Sequence, residues 1–291
     1  EDKIEYKITQ GSWDKEAATS EGTPMVNYTL SISNDTILKH PIDYWTNSDG
    51  RVKHGQITGK AKYHHAVEAD GLQSRDIVVW LPPGYDSLKN TYYPVLYMHD
   101  GQNIFDPATS SFGWDWRMDE VADSLIALKL LPPLIIVGVY NTSDRSEEYG
   151  PGELGTEYIA FVVNQLKPLI DSTYRTLTTS ENTFVGGSSS GGLIAFRMAW
   201  ENPEVFSKAI CFSPALKIQD IDYEKVILAD DGPVKNVGFY IYNGGVGLEE
   251  KLQPGISETI RAMQQKGYEQ NKHYVLAIDP EASHNEQARS E

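Results

Sequence analysis

The chain has 291 residues, room for one large α/β domain or one domain with a small appendage. Its formal net charge of −16 argues against nucleic acid or an anionic membrane surface as partner and suits a neutral or weakly charged substrate. No apolar run approaches the roughly 18 residues that span a bilayer, so no membrane insertion is expected.

Residues 1–46 read as an antiparallel β piece. Ile4-Glu5-Tyr6-Lys7-Ile8 and Val26-Asn27-Tyr28-Thr29-Leu30-Ser31-Ile32 alternate with period two, separated by polar, turn-rich segments. The piece is too short to form a stable sandwich alone. A polar linker over 47–60 follows, and the main domain is expected over 61–291.

From about residue 60 the pattern alternates between strands and helices. Strands are predicted over Asp76–Leu81, Pro94–Met98, Leu134–Tyr140, Thr183–Gly186, Lys208–Phe212, Val237–Tyr242 and Tyr274–Ile278. Continuous apolar runs such as Leu134-Ile135-Ile136-Val137 are what a parallel sheet covered on both faces requires. One helical stripe is Phe161, Leu166, Leu169 and Ile170, with Pro168 as a kink. Another is Leu252, Ile256, Ile260 and Met263, closed by Gly267 after Lys266. Repeated β-α units make this an α/β chain with a doubly wound, mostly parallel sheet, whose ligands bind at the carboxyl ends of the strands. The single cysteine, Cys211, lies in an apolar strand and reads as a buried small hydrophobe.

The most informative stretch is Val185-Gly186-Gly187-Ser188-Ser189-Ser190-Gly191-Gly192, between the Thr183-Phe184-Val185 strand and a helix from Leu193 to Trp200. Gly187-x-Ser189-x-Gly191 is a nucleophile-elbow pattern, which lifts one serine above the sheet edge on a sharp strand-to-helix turn. The N–H of the next residue, Ser190, then faces an oxyanion.

In that arrangement the order along the chain is serine, acid, histidine. Of seven histidines only His273 and His284 follow Ser189. His273 opens a strand, whereas His284 sits beyond it, in a loop read as turning into a helix, where a general base can reach back over the serine. The acid is expected after the Val237–Tyr242 strand. Glu249 is the first carboxylate beyond the glycines of Asn243-Gly244-Gly245-Val246-Gly247, Glu250 is its close competitor, and Asp279 is a weaker one. The turn His99-Asp100-Gly101-Gln102-Asn103 offers the backbone N–H of Gln102 as a second oxyanion donor. A metal reading of His99, Asp100 and Asp106 lacks a second histidine at suitable spacing, and the adjacent His64 and His65 would point to opposite strand faces. No metal or cofactor is expected.

These motifs together resemble the esterase family of α/β-hydrolases that takes in esterase D, enterochelin esterases, mycolyltransferases, and the feruloyl and acetylxylan esterases of carbohydrate esterase family 1. The resemblance runs over residues 72–286. It is carried by Arg75-Asp76-Ile77-Val78-Val79-Trp80-Leu81-Pro82-Pro83-Gly84-Tyr85, by Leu96 to Asn103, by Leu166-Lys167-Pro168-Leu169-Ile170-Asp171 with Tyr174-Arg175-Thr176, by Phe212-Ser213-Pro214-Ala215, and by His284-Asn285-Glu286. It implies Ser189 as nucleophile, His284 as base, Glu249 as acid, and Gln102 and Ser190 as oxyanion donors. Asp100 matches a carboxylate that lines the acyl or sugar site in some relatives. Trp114 and Trp116 are read as an aromatic wall for a sugar or feruloyl ring, or as core. Two departures stand out: Ser190 where the family often has methionine, and Arg289 at the usual tryptophan position.

Glu5-Tyr6-Lys7-Ile8-Thr9-Gln10-Gly11-Ser12-Trp13-Asp14-Lys15 resembles the latter half of a starch-binding-type module, with Ile42-Asp43-Tyr44-Trp45 as its closing strand. Asn27, Asn34 and Asn141 open glycosylation sequons. The function implied is a serine ester hydrolase that removes feruloyl or acetyl groups from plant polysaccharide, acting on an ester-bearing carbohydrate or small aryl or acetyl ester. The alternatives are an acyltransferase of the mycolyl type and a non-catalytic glycan-binding protein. No leader precedes Glu1-Asp2-Lys3, which reads as a trimmed start, and the expected location is secreted or periplasmic.

Overall fold

The apolar runs pair into one large sheet in a computed structural model that describes residues 2–9, 16–18, 24–32, 44–45, 57–111, 113–218 and 220–284. In chain order the strands are β1 (Asp2–Tyr6), β2 (Ala17–Ala18), β3 (Tyr28–Ile32), β4 (Tyr44–Trp45), β5 (Lys60–Ala69), β6 (Leu72–Leu81), β7 (Val95–His99), β8 (Ile135–Val139), β9 (Thr183–Ser188), β10 (Lys208–Phe212), β11 (Lys217–Ile218), β12 (Ile221–Asp222), β13 (Gly238–Val246) and β14 (Tyr274–Ser283). The helices are α1 (Met118–Ala127), α2 (Arg145–Glu148), α3 (Glu153–Phe161), α4 (Lys167–Thr173), α5 (Ser190–Glu201), α6 (Tyr223–Ala229) and α7 (Leu248–Gln265).

Eight strands form the main sheet, in the order β14-β13-β10-β9-β7-β8-β6-β5. The six from β14 to β8 are parallel, and β6 and β5 join antiparallel. This is the α/β-hydrolase arrangement expected from the sequence. Alternate residues of one strand serve two cores. Val95 and Tyr97 of β7 pack with residues of α3, α4, α5, α6 and α7, while Leu96 and Met98 pack with α1 on the other face. Cys211 is fully buried in the first core. The Leu252, Ile256, Ile260 and Met263 stripe is buried as predicted, and Gly267, at φ 91°, follows the α7 C-cap.

Pro168 stands as the second residue of α4. Residues Val162–Leu166 form a π turn between α3 and α4. One extra residue per turn absorbs the hydrogen bond that a proline nitrogen cannot donate.

Two segments read as loops are strand. β13 continues to Val246 and β14 to Ser283, so Asn243–Val246 and Asp279–Ser283 are paired. The glycines that suggest a turn serve close approach instead. A Cβ on Gly244 would lie 2.4 Å from the Ala282 carbonyl oxygen, and one on Gly245 would lie 2.4 Å from that of Pro280. The register shifts between Gly244 and Val246, a bulge that folds the end of β14 over the glycines. The edge strand β5 is so polar that its sequence gives no strand pattern. Its two histidines part as alternation requires: His64 Nε2 is 2.7 Å from Tyr174 Oη, and His65 Nδ1 is 2.8 Å from Asp76 Oδ2.

At the N-terminus β1 and β3 pair antiparallel, from Asp2 opposite Ile32 to Tyr6 opposite Tyr28. Trp13, the Asn34 sequon, residues 46–56 and Arg289 lie outside the described residues. The end of the segment read as linker is tied to the main domain, with Trp80 Nε1 donating to the Thr58 carbonyl at 2.8 Å.

A buried ion pair braces the C-terminal side of the sheet. Arg75 on β6 donates to both carboxylate oxygens of Glu148 in α2, at 2.7 and 2.8 Å, and both side chains are fully buried. The guanidinium also lies over the Tyr158 and Phe161 rings at 5.0 and 5.2 Å. Removing one partner strands the other charge in a dry interior. Glu148→Ala is therefore expected to lower unfolding stability by about 3–5 kcal/mol, read by urea denaturation; a loss below about 1 kcal/mol would show that the charge is not isolated there.

Candidate active site

The carboxyl ends of β7, β9, β10, β13 and β14 gather the predicted site residues at one edge of the sheet. Ser189 follows β9 directly, at φ 58° and ψ −121°, and caps α5. A non-glycine residue rarely adopts this geometry. Neighbouring backbone holds it there: the Ser189 N–H donates to Phe212 O at 2.9 Å, and its carbonyl accepts from Leu193 N at 3.0 Å and Ala215 N at 3.3 Å. The glycines around it are required by contact. A Cβ on Gly187 would lie 2.5 Å from Gly191 O, and one on Gly192 would lie 2.9 Å from Phe212 O.

Glu249 and His284 meet two and three strands away from the elbow. His284 Nδ1 lies 3.1 Å from Glu249 Oε1. Glu249 stands in the first turn of α7 and is 1% exposed, whereas Glu250 is exposed. The Glu249 side chain crosses Gly244, where a Cβ would come within 2.8 Å of its Cγ. Asn243 Nδ2 donates to the Glu249 carbonyl at 3.0 Å and to Gln253 Oε1 at 2.8 Å, fixing the start of α7. Asp279 is turned away, its carboxylate accepting from Glu281 N at 3.0 Å. His273 accepts from Glu269 N at 2.8 Å within its own turn.

The two amides read as oxyanion donors flank the elbow. Ser190 N is the first of α5, where helix geometry leaves backbone donors unused. Gln102 N lies in the short 3-10 turn Gly101–Asn103 that follows β7, opened by Asp100 in the left-handed region at φ 57°. Neither amide has an acceptor among the described residues. Gly101 allows this turn to press on β8, where a Cβ would lie 2.3 Å from the Gly138 carbonyl carbon.

Asp100 is engaged rather than open. Arg145 donates Nε to Oδ1 and Nη2 to Oδ2, both at 2.7 Å, and Asn141 Nδ2 donates to Oδ1 at 2.6 Å. Burial acts to raise its pKa, but the Arg145 charge and these donors outweigh burial and hold the carboxyl below its usual range. Asn141, which opens a sequon, spends its amide nitrogen on this contact. His99 is neutral, its pKa driven down to about 3 by complete burial, and its Nδ1 is 2.9 Å from Tyr158 Oη. Asp106 Oδ1 accepts from Ala108 N at 2.9 Å.

The two tryptophans divide. Trp116 is buried and meets the Phe212 ring edge-on at 5.1 Å, while Trp114 is 54% exposed. Beside them Asp115, Asp119 and Glu120 bring carboxylate oxygens within 4.8 Å of one another. Burial and the neighbouring Glu120 push Asp119 up to about 7, so this group takes up a proton near neutrality. Arg145 carries no spacing signal in the sequence, and Asn243 and Ser213 lie in stretches whose pattern assigns them no role.

The sequence model of the family described as "Putative esterase" matches residues 72–287. A curated relative, the endo-1,4-beta-xylanase/feruloyl esterase of Xylanibacter ruminicola, is 26% identical over 198 residues. That match covers 65% of this chain and 25% of the relative, so the chain spans a quarter of that protein. Among solved structures, a ferulic acid esterase superposes with TM-score 0.65 at 19% identity, over 79% of this chain and 93% of that one. The enterobactin esterase of Shigella flexneri superposes with TM-score 0.59 at 16% identity, over 78% and 56%. With the fold, the elbow and the family match in agreement, the chain belongs to the esterase family of α/β-hydrolases.

Proposed function

We propose that the protein is a serine carboxylic-ester hydrolase that works through Ser189, His284 and Glu249, with feruloyl or acetyl esters of plant polysaccharide as substrates. The observation that carries the reading is the Glu249–His284 hydrogen bond of 3.1 Å at the same sheet edge as the Ser189 elbow. His284 takes the Ser189 proton through Nε2 as the hydroxyl attacks the ester carbonyl, while Glu249 holds the ring through Nδ1–H. The N–H groups of Gln102 and Ser190 stabilise the oxyanion, each worth about 3 kcal/mol in the transition state. Collapse expels the alcohol, which takes its proton from His284 Nε2, and leaves an acyl-enzyme. Water, activated by His284, then releases the acid.

The substrate class draws on the feruloyl and ferulic acid esterases among the similar proteins. An exposed Trp114 beside the oxyanion turn suits an aromatic acyl group or a sugar ring, and a polymeric plant substrate suits a secreted or periplasmic enzyme. No helix among the described residues is long and apolar enough to cross a membrane.

The test is hydrolysis of p-nitrophenyl acetate, methyl ferulate and acetylated xylan by wild type and Ser189→Ala. Serine-dependent release of acid supports the reading, and the preferred ester names the acyl group. Transfer to an added alcohol in place of water would make the enzyme an acyltransferase. Glycan binding with no ester cleaved would overturn the catalytic reading.

A further inference from the structure

We infer that Ser213 is a positioning residue of this site, whose hydroxyl shares one Glu249 oxygen with His284 and so sets the acid's orientation and the base's proton affinity. The kinetic consequence rests on the esterase reading; the geometry does not. Ser213 is fully buried and its Oγ donates to Glu249 Oε1 at 2.7 Å, shorter than the 3.1 Å to His284 Nδ1 on the same oxygen. Its backbone is held at φ 44° while its N–H donates to Tyr242 O at 2.6 Å.

The place of Ser213 in the chain gives the contact its meaning. It follows β10, the strand between the one that carries the nucleophile and the one that leads to the acid. Phe212 O accepts the Ser189 N–H and Ala215 N donates to the Ser189 carbonyl, so the residues on either side of Ser213 hold the elbow. A single turn, Phe212 to Ala215, therefore grips the nucleophile by its backbone and the acid by its side chain. The spacing between Ser189 and Glu249 is fixed through Ser213 rather than through the His284 ring alone.

The chemistry has a sign. A hydroxyl that donates to a carboxylate oxygen draws charge onto itself and weakens that oxygen's pull on a second donor. With Ser213 in place, Oε1 stabilises the imidazolium of His284 less than it would alone. Removing the hydroxyl raises the pKa of His284 and leaves the carboxylate freer to rotate.

Glycine tolerates a positive φ, so Ser213→Gly deletes the hydroxyl without adding backbone strain. The ring of His284 is titrated by NMR in wild type and Ser213→Gly, beside kcat and KM across pH. The expected result is a His284 midpoint above that of wild type. The acidic limb of the rate profile should move up with it, and kcat should fall about tenfold with KM within about twofold. An unchanged His284 midpoint overturns the inference, whether or not kcat falls, because a merely structural role would slow the enzyme without retuning its base. Should Ser189→Ala leave ester turnover intact, the esterase reading fails, yet the NMR titration still decides the role of Ser213.

Discussion

Ser189→Ala should lower kcat by about 10⁴-fold or more, with the fold intact. In the proposed mechanism the acyl-enzyme forms on this hydroxyl, and the oxyanion amides and substrate contacts that remain give no covalent path. The fold should survive because what is unusual about residue 189 lies in its backbone. The φ of 58° is imposed by hydrogen bonds to Phe212, Leu193 and Ala215, none of which uses the side chain. The measurement is steady-state turnover of p-nitrophenyl acetate, together with the pre-steady-state burst that marks acyl-enzyme accumulation. Loss of both identifies the nucleophile. Retention of more than a tenth of wild-type turnover would remove Ser189 from that role.

Glu249→Gln should cost about 10³–10⁴ in kcat, whereas Glu250→Gln should stay within about twofold. The two glutamates are neighbours in sequence and opposites in place, one 1% exposed against His284 and the other in solvent. A glutamine at 249 can still accept from Ser213 through its carbonyl oxygen. That oxygen also faces His284 Nδ1, but as a neutral amide it leaves the imidazolium without a counter-charge. The comparison is made on kcat/KM for both variants, with unfolding curves to show that neither is destabilised. A larger loss for Glu250 would mean that α7 begins in a different register in solution.

What could be read from the sequence is local pattern. The elbow and the Gly101–Asn103 turn each lie within a short window, and the order of serine, acid and histidine is read along the chain. The parallel strands announce themselves because both faces are covered and every residue must be apolar. The glycine-rich segment after Tyr242 misled for one physical reason: local rules read glycine as a turn. Gly244 and Gly245 instead make room for a neighbouring strand that is next to them only after folding. Long-range pairs are equally silent. Arg75 and Glu148 lie 73 residues apart, as the hydrogen bond between them records, and Asp100 with Arg145 lie 45 apart, so no window holds either pair. The Ser213–Glu249 contact is silent in the same way, its partners 36 positions apart.

β14 borders the sheet, hydrogen-bonded to β13 alone in the main sheet, and His284 is the next residue after its last paired position. Releasing the histidine from Glu249 therefore requires only that the end of one border strand peel away, not that the core melt. Such partial openings cost less free energy than global unfolding and respond sooner to heat and denaturant. If His284 is the base, inactivation and melting are expected to be separate events, with ester turnover lost at a lower temperature than helical structure.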